Sequence, residues 1–153
     1  MTIPTPLLAY VGNWTATHRL WLSPDEPVRE SQATASLTLV AQGQALLLRY
    51  TWFEDTPQDG VLVFNHGPAS TRVTAFWLDS WHMANQHMLC QGEANADGIV
   101  SVKGAYPAPP GPDWGWRIVV EPQTSDTWRL VMFNISPGGQ EDLAIQADFV
   151  RSA

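Results

Sequence analysis

The chain has 153 residues, 44% of them hydrophobic and 15% charged, so it is too apolar for a disordered protein and has the size of one domain. Fifteen acidic residues against eight basic ones give a formal net charge of -7. That charge opposes binding to phosphate backbones and to anionic membrane surfaces, and we expect neither nucleic acid nor a membrane as a partner.

The sole cysteine, Cys90, cannot form an intramolecular disulfide, so nothing requires an oxidising compartment. The segment from Met1 to Tyr10 lacks the basic region and the apolar run of a secretory signal. No stretch reaches the length of a transmembrane helix. We therefore expect a cytoplasmic protein.

Short apolar or alternating segments, separated by Gly, Pro, Asn and Asp, recur along the whole chain and are typical of an all-β protein. They predict ten strands: Val11–Trp21, Gln32–Val40, Ala45–Phe53, Val61–His66, Arg72–Trp81, His87–Glu93, Ile99–Tyr106, Gly115–Glu121, Thr127–Ile135 and Leu143–Val150. Short connections favour antiparallel neighbours, and closure of the meander removes its free edges. The prediction is a single antiparallel up-and-down β-barrel of about ten strands, wide enough for one small ligand.

The run Gly12-Asn13-Trp14 at the start of the first predicted strand resembles the G-x-W signature that opens lipocalins and their calycin relatives. A glycine there allows close approach of the chain where the barrel closes, and the tryptophan plugs that end. In those families a basic residue at the end of the last strand packs on this tryptophan. The resemblance assigns that role to Arg151.

The whole chain is also similar to a family of uncharacterised, lipocalin-like bacterial proteins, the domain of unknown function 1579. The matching motifs are Gly12-Asn13-Trp14-Thr15, Trp77-Leu78-Asp79-Ser80 and Phe149-Val150-Arg151, which together span nearly the full length. The resemblance implies a barrel of the lipocalin or fatty-acid-binding-protein kind. It carries no catalytic residue across.

The residues expected to bind a ligand follow from strand alternation. If Trp14 faces inward, His18 also faces the lumen. The adjacent aromatic pairs Trp52-Phe53 and Phe76-Trp77 must split between the two faces. Inward rings either line a pocket for an apolar molecule or fill the core, and outward rings favour a covering segment or a homodimer. Arg49 and Arg117 either fix a ligand carboxylate in the lumen or point outward. The predicted ligand-binding set is His18, Arg49, Trp52, Trp77, Trp116, Arg117 and Phe133.

Four residues are of the types that bind zinc or copper: His66, His82, His87 and Cys90. On a continuous strand neither His82 and His87 nor His87 and Cys90 share a face, although a turn at Asn85 would relax this rule for the first pair. We expect no metal site, and we expect no cofactor.

The run Asp79-Ser80-Trp81-His82 contains the residue types of a catalytic triad. On one strand, however, Asp79 would face away from Ser80 and His82. We expect Asp79 to cap the strand end or to pair with an arginine.

These observations favour a non-enzymatic carrier or sensor that holds a small hydrophobic or amphipathic molecule in the lumen. One alternative is a small barrel enzyme in which His18 or His82 is the acid or base beside a carboxylate. A second is a haem-binding barrel, for which the sequence singles out no histidine. A third is an interaction module whose exposed rings form a homodimer.

Overall fold

A computed structural model describes residues 5–66 and 71–152, and in these ranges one short helix, α1 (Thr5–Leu8), precedes ten strands. The strands are β1 (Gly12–Leu20), β2 (Arg29–Val40), β3 (Ala45–Glu54), β4 (Thr56–His66), β5 (Arg72–Asp79), β6 (Met88–Ala94), β7 (Val100–Tyr106), β8 (Trp114–Thr124), β9 (Thr127–Ile135) and β10 (Glu141–Arg151). No helix within the described ranges is long and apolar enough to cross a membrane.

Every predicted strand is present, and the largest difference in boundaries is at β4. This strand begins at Thr56 rather than at the predicted Val61. Pro57 and Gly60 argue against a strand, but Pro57 lies opposite Phe53 at the end of a tight hairpin, where the loss of one N–H donor is tolerated.

The sheet closes on itself. Each strand pairs antiparallel with the next along the chain, and β1 also pairs with β10, so that Trp14 lies opposite Arg151 and His18 opposite Ala147. The predicted closed up-and-down barrel is therefore confirmed. Closure leaves one interior, and its two ends differ.

Alternation along β1 decides which side chains enter that interior. Trp14, Ala16, His18 and Leu20 are buried, and the residues between them face outward. The inward phase predicted for His18 is therefore confirmed.

The end of the barrel beside α1 is closed by Trp14. Its Nε1 donates to the backbone oxygen of Tyr10 at 2.9 Å, and the guanidinium carbon of Arg151 lies 4.3 Å from the indole centroid. Arg151 also donates to the backbone oxygens of Ala9 and Ser125. Gly12 has a φ of +140°, and a Cβ there would lie 3.3 Å from Nη1 of Arg151. The contact between Trp14 and Arg151 that the resemblance implied is present, and Gly12 makes room for it.

Candidate functional site at the open end of the barrel

The opposite end holds a pocket of about 450 Å³. Tryptophans form its aromatic wall, and His82 and Tyr106 add polar groups to it. The tryptophans include Trp77, Trp81, Trp114 and Trp116. These side chains come from β5, β7, β8 and the turn after β5, which meet at this end because consecutive strands are antiparallel. The volume falls within the range of small-molecule sites.

The indole rings form an ordered wall. Trp77 and Trp116 stack with a centroid separation of 5.4 Å and an interplanar angle of 11°. Trp81 lines the same pocket and is 38% exposed. Of the adjacent pairs, Trp52 and Trp77 are buried inside, whereas Phe53 and Phe76 face outward, as strand alternation required. The wall offers flat apolar faces to a ligand.

A buried carboxylate lies behind this wall. Asp79 Oδ2 accepts a hydrogen bond from the Tyr50 hydroxyl at 2.7 Å, and Tyr50 in turn accepts one from Trp77 Nε1 at 2.9 Å. Asp79 Oδ1 lies 3.0 Å from Nδ1 of His82. The side chain of His82 lines the pocket, so the carboxylate holds a pocket histidine from behind.

The chain turn after β5 creates this pair. Asp79 Oδ1 accepts the backbone N–H groups of Trp81 at 2.9 Å and His82 at 2.8 Å, so the prediction that Asp79 caps the strand end is confirmed. The expectation that Asp79 faces away from His82 is wrong, because β5 ends at Asp79 and strand alternation no longer applies beyond it. Ser80 turns away from both and bonds to Gln58 and to the N–H of Asp59.

Gly60 positions the Tyr50 hydroxyl. A Cβ at Gly60 would lie 2.1 Å from the ring of Tyr50, so only glycine lets that ring lie flat across β4 and reach Asp79. Burial raises the pKa of Asp79, but hydrogen bonds from His82 and Tyr50 and the charge of His82 outweigh it. The pKa of Asp79 therefore lies below its ordinary value, and the group is a carboxylate at neutral pH.

His18 lies deeper, behind Trp52. The two rings stack with centroids 4.5 Å apart. His18 is buried, and neither of its ring nitrogens has a hydrogen-bond partner among the described residues. Burial, together with the nearby His82, lowers the pKa of His18 from 6.5 to about 4. It is therefore a neutral imidazole at neutral pH, and it lies outside the lining of the pocket.

A second polar pair lies on another part of the wall. The Tyr106 hydroxyl donates to Asn134 Oδ1 at 2.5 Å, and both residues line the pocket. Asp142 adds a carboxylate to the same lining. The described residues that line the pocket include no lysine or arginine. The electrostatics of the site disfavour an anion.

Three predicted ligand residues lie on the outer face instead. Arg49 is exposed between the buried Leu48 and Tyr50. Arg117 bonds to Glu141 at 2.5 Å and to the Ser101 hydroxyl at 3.2 Å. Phe133 lies directly opposite Arg117 and shares its face. The lumen placement of these three residues is wrong. A strand with apolar residues on both faces leaves its inward or outward phase open, and the carboxylate partner of Arg117, Glu141, lies on the outer face.

The candidate metal ligands whose side chains are described do not come together. His87 stacks on Phe76 with centroids 4.8 Å apart and is exposed, whereas Cys90 is buried and burial raises the pKa of its thiol to about 11. The side chain of His66 lies outside the described residues. In the described part of the chain, no three His, Cys, Asp or Glu side chains are grouped as metal ligands.

Several pocket residues were missed from the sequence. Tyr50, Trp81, Trp114, Tyr106 and Asn134 were not in the predicted set, yet they line the pocket or bond to the pair behind it. Gly60 lies just before the predicted start of the fourth strand, so its signal of close approach inside a strand appears only with the strand bounds of the structure. The Asp79-Ser80-Trp81-His82 run also indicates the contact between Asp79 and His82, but only if the strand ends at Asp79 rather than at the predicted Trp81.

A closed meander of antiparallel strands with an apolar pocket at one end defines a lipocalin-like barrel. The model of DUF1579, described as a protein of unknown function, matches residues 5–151, and the chain belongs to that family. Among solved structures, the chain is similar to the S-type phycobiliprotein lyase CPES from Guillardia theta, with a TM-score of 0.64 and 16% identity. That match covers 100% of this chain and 94% of the lyase chain. No curated protein sequence matches the chain.

Proposed function

We propose that the protein binds a small, flat, uncharged molecule in the open-end pocket and acts as a non-enzymatic carrier or sensor. The observation that carries this proposal is the pocket of about 450 Å³ walled by Trp77, Trp81, Trp114 and Trp116. Rigid indole faces stabilise a flat apolar ligand at little cost in side-chain entropy.

The charges around the pocket select against an anion. Asp142 lines the pocket, Asp79 lies behind it, and the net charge of the chain is -7. With Arg49 and Arg117 outside the lumen, the described lining offers a ligand carboxylate no lysine or arginine. A buried unpaired anion is costly, so the ligand is neutral and apolar or amphipathic.

Two fluorescent probes with the same rings test the proposal. N-phenyl-1-naphthylamine is neutral, and 8-anilino-1-naphthalenesulfonate adds a sulfonate to it. We expect the neutral probe to bind with a rise in its emission and to quench the tryptophans, and the sulfonate to bind at least about tenfold more weakly. Absence of binding by the neutral probe, or tighter binding of the sulfonate, would contradict the proposal.

Two variants locate the binding. Trp114→Ala removes a ring from the pocket wall and should weaken binding of the neutral probe about tenfold. Phe53→Ala removes an exposed ring from the outer face and should leave the affinity within about twofold. Equal effects of the two variants would place the probe outside the pocket.

Two alternatives stay predictions. Of the histidines whose side chains are described, His82 is the one that lines the pocket, so an enzyme or a haem-binding barrel would have to use His82 rather than His18. Turnover of a bound molecule, or a haem absorption band that His82→Phe abolishes, would favour one of them over the carrier.

The homodimer also stays a prediction. Leu47, Val63, Phe76 and Leu89 lie directly opposite one another on the outer faces of β3 to β6, which gives a cross-strand apolar row. Sedimentation as a monomer at high concentration would count against a dimer built on this row. The expected cytoplasmic location and the absence of a nucleic-acid partner are predictions of the same standing.

A further inference from the structure

The Asp79–His82 pair gives the pocket a specific polar contact. Asp79 is 1% exposed, and its two oxygens together accept bonds from the Tyr50 hydroxyl and from the backbone N–H groups of Trp81 and His82. A carboxylate fixed in this way cannot rotate away from Nδ1 of His82. The orientation of the imidazole is set by buried groups and not by the ligand.

The pair also decides which nitrogen of His82 carries the proton. An ionised carboxylate only accepts hydrogen bonds, so Nδ1 of His82, 3.0 Å from Asp79 Oδ1, is the donor. In the neutral imidazole the other nitrogen, Nε2, is then a hydrogen-bond acceptor. In its neutral form the pocket histidine thus offers an acceptor and not a second donor.

The surroundings of His82 are aromatic. Its ring centroid lies 4.7 Å from that of Trp81, 5.1 Å from Trp116 and 6.0 Å from Trp77. Indoles donate hydrogen bonds but do not accept them through nitrogen, so these rings supply no competing acceptor. The ligand group that matches the acceptor is an O–H carried on a flat ring.

We infer that the pocket prefers neutral hydroxylated aromatic molecules, of the phenol or naphthol class, whose O–H donates to Nε2 of His82. This inference rests on the proposed ligand-binding function and names its ligand class. His82 is the contacting residue, and Asp79 is a positioning residue that acts through it. Ser80 has no part in the contact, because its hydroxyl donates to Gln58 Oε1 at 2.7 Å and lies outside the pocket lining.

A pair of probes that differ only in the donor tests the inference. 2-Naphthol carries the hydroxyl, and 2-methoxynaphthalene has the same rings with the donor methylated and is more apolar. In the native protein we expect 2-naphthol to bind about five- to tenfold more tightly, as one added hydrogen bond allows. A purely apolar pocket would bind the ether as tightly or more tightly, and that result would overturn the inference.

Matched histidine variants assign the contact. His82→Phe should bring the naphthol-to-ether affinity ratio to about one while the ether still binds. His87→Phe, the same substitution on the outer face, should leave the ratio unchanged. Asp79→Asn should lower the naphthol-to-ether affinity ratio while changing the affinity for the ether less. If Asp79 were merely structural, the substitution would weaken binding of both probes equally and leave the ratio unchanged. A ratio that survives His82→Phe would overturn the inference, whereas failure of both probes to bind the native protein would overturn the proposed function itself.

Discussion

The two ends of the barrel are both built from tryptophan, but their rings meet different partners. At the closed end, the nitrogen of Trp14 bonds to the backbone of Tyr10, its ring makes a T-shaped contact with Trp128, and Arg151 covers its face. At the open end, Trp114 and Trp116 border a pocket, and the nitrogen of Trp116 has no partner among the described residues. The same residue type stabilises the fold at the closed end and borders a pocket at the open end, where the proposed function assigns it to a ligand.

The largest expected effect is a loss of stability on substitution at the closed end. Trp14 is 1% exposed, so Trp14→Ala should lower the free energy of unfolding by roughly 3–5 kcal/mol. Trp114 is half-buried, so Trp114→Ala should cost only about 1 kcal/mol. Urea denaturation of both variants measures the difference. Equal losses would mean that the open-end ring is structural and not part of a binding wall.

The next effect concerns acid stability near the open end. Because burial lowers the pKa of His18 from 6.5 to about 4, the unfolded chain takes up the proton first as pH falls. Stability should be fully retained above pH 6.5 and fall by about 3 kcal/mol between pH 6.5 and 4. The contribution of Asp79, whose pKa lies below its ordinary value, is lost only at lower pH.

His18→Phe isolates that effect. The variant keeps an aromatic ring against Trp52 and removes the titrating group, so its free energy of unfolding should change little over the same pH window. Denaturant titrations at several pH values measure it. A variant that loses stability as steeply as the native protein would show that His18 is not the group responsible.

A smaller effect on stability is expected from Arg151, which lies over Trp14 at the closed end. Arg151→Ala removes the cation above Trp14 and two hydrogen bonds to backbone carbonyls, and should cost about 1–2 kcal/mol. Arg151→Lys keeps the charge without the planar fork and should recover only part of that loss. Thermal unfolding of the two variants compares them. Full recovery by lysine would mean that charge alone matters.

The smallest effect is expected on the outer face. Arg49→Ala and Arg117→Ala should each leave the affinity for N-phenyl-1-naphthylamine within about twofold, because neither side chain lies in the pocket. The loss of the exposed Arg117–Glu141 pair should change stability by at most about 1 kcal/mol. A large loss of affinity in either variant would mean that the arginine contacts the probe, and would contradict its placement on the outer face.

The fold could be predicted because strand alternation and turn residues repeat along the chain, and because Trp14 and Arg151 occupy the two strands that close the barrel. The inward phase of β1 followed from the same pattern. The phases of Arg49, Arg117 and Phe133 did not, since their partners are set by pairing across strands and not by local sequence. Glu141, which holds Arg117 outside, comes from β10.

The core of the site depended on where one strand ends. Strand alternation separates Asp79 from His82, and only the turn after β5 brings them within 3.0 Å. Tyr50 joins them from β3 because Gly60 on the strand between leaves space for its ring. Contacts of this kind link residues far apart in the chain, and periodicity within one segment carries no information about them.

A crystal structure of the protein grown with N-phenyl-1-naphthylamine tests the difference between the two ends most directly. We expect density for the probe at the open end, in contact with Trp114, Trp116 and His82, and an unchanged closed end around Trp14. A probe bound on the outer face, or an open end that remains empty at saturating probe concentration, would contradict the proposal that this end is a binding site.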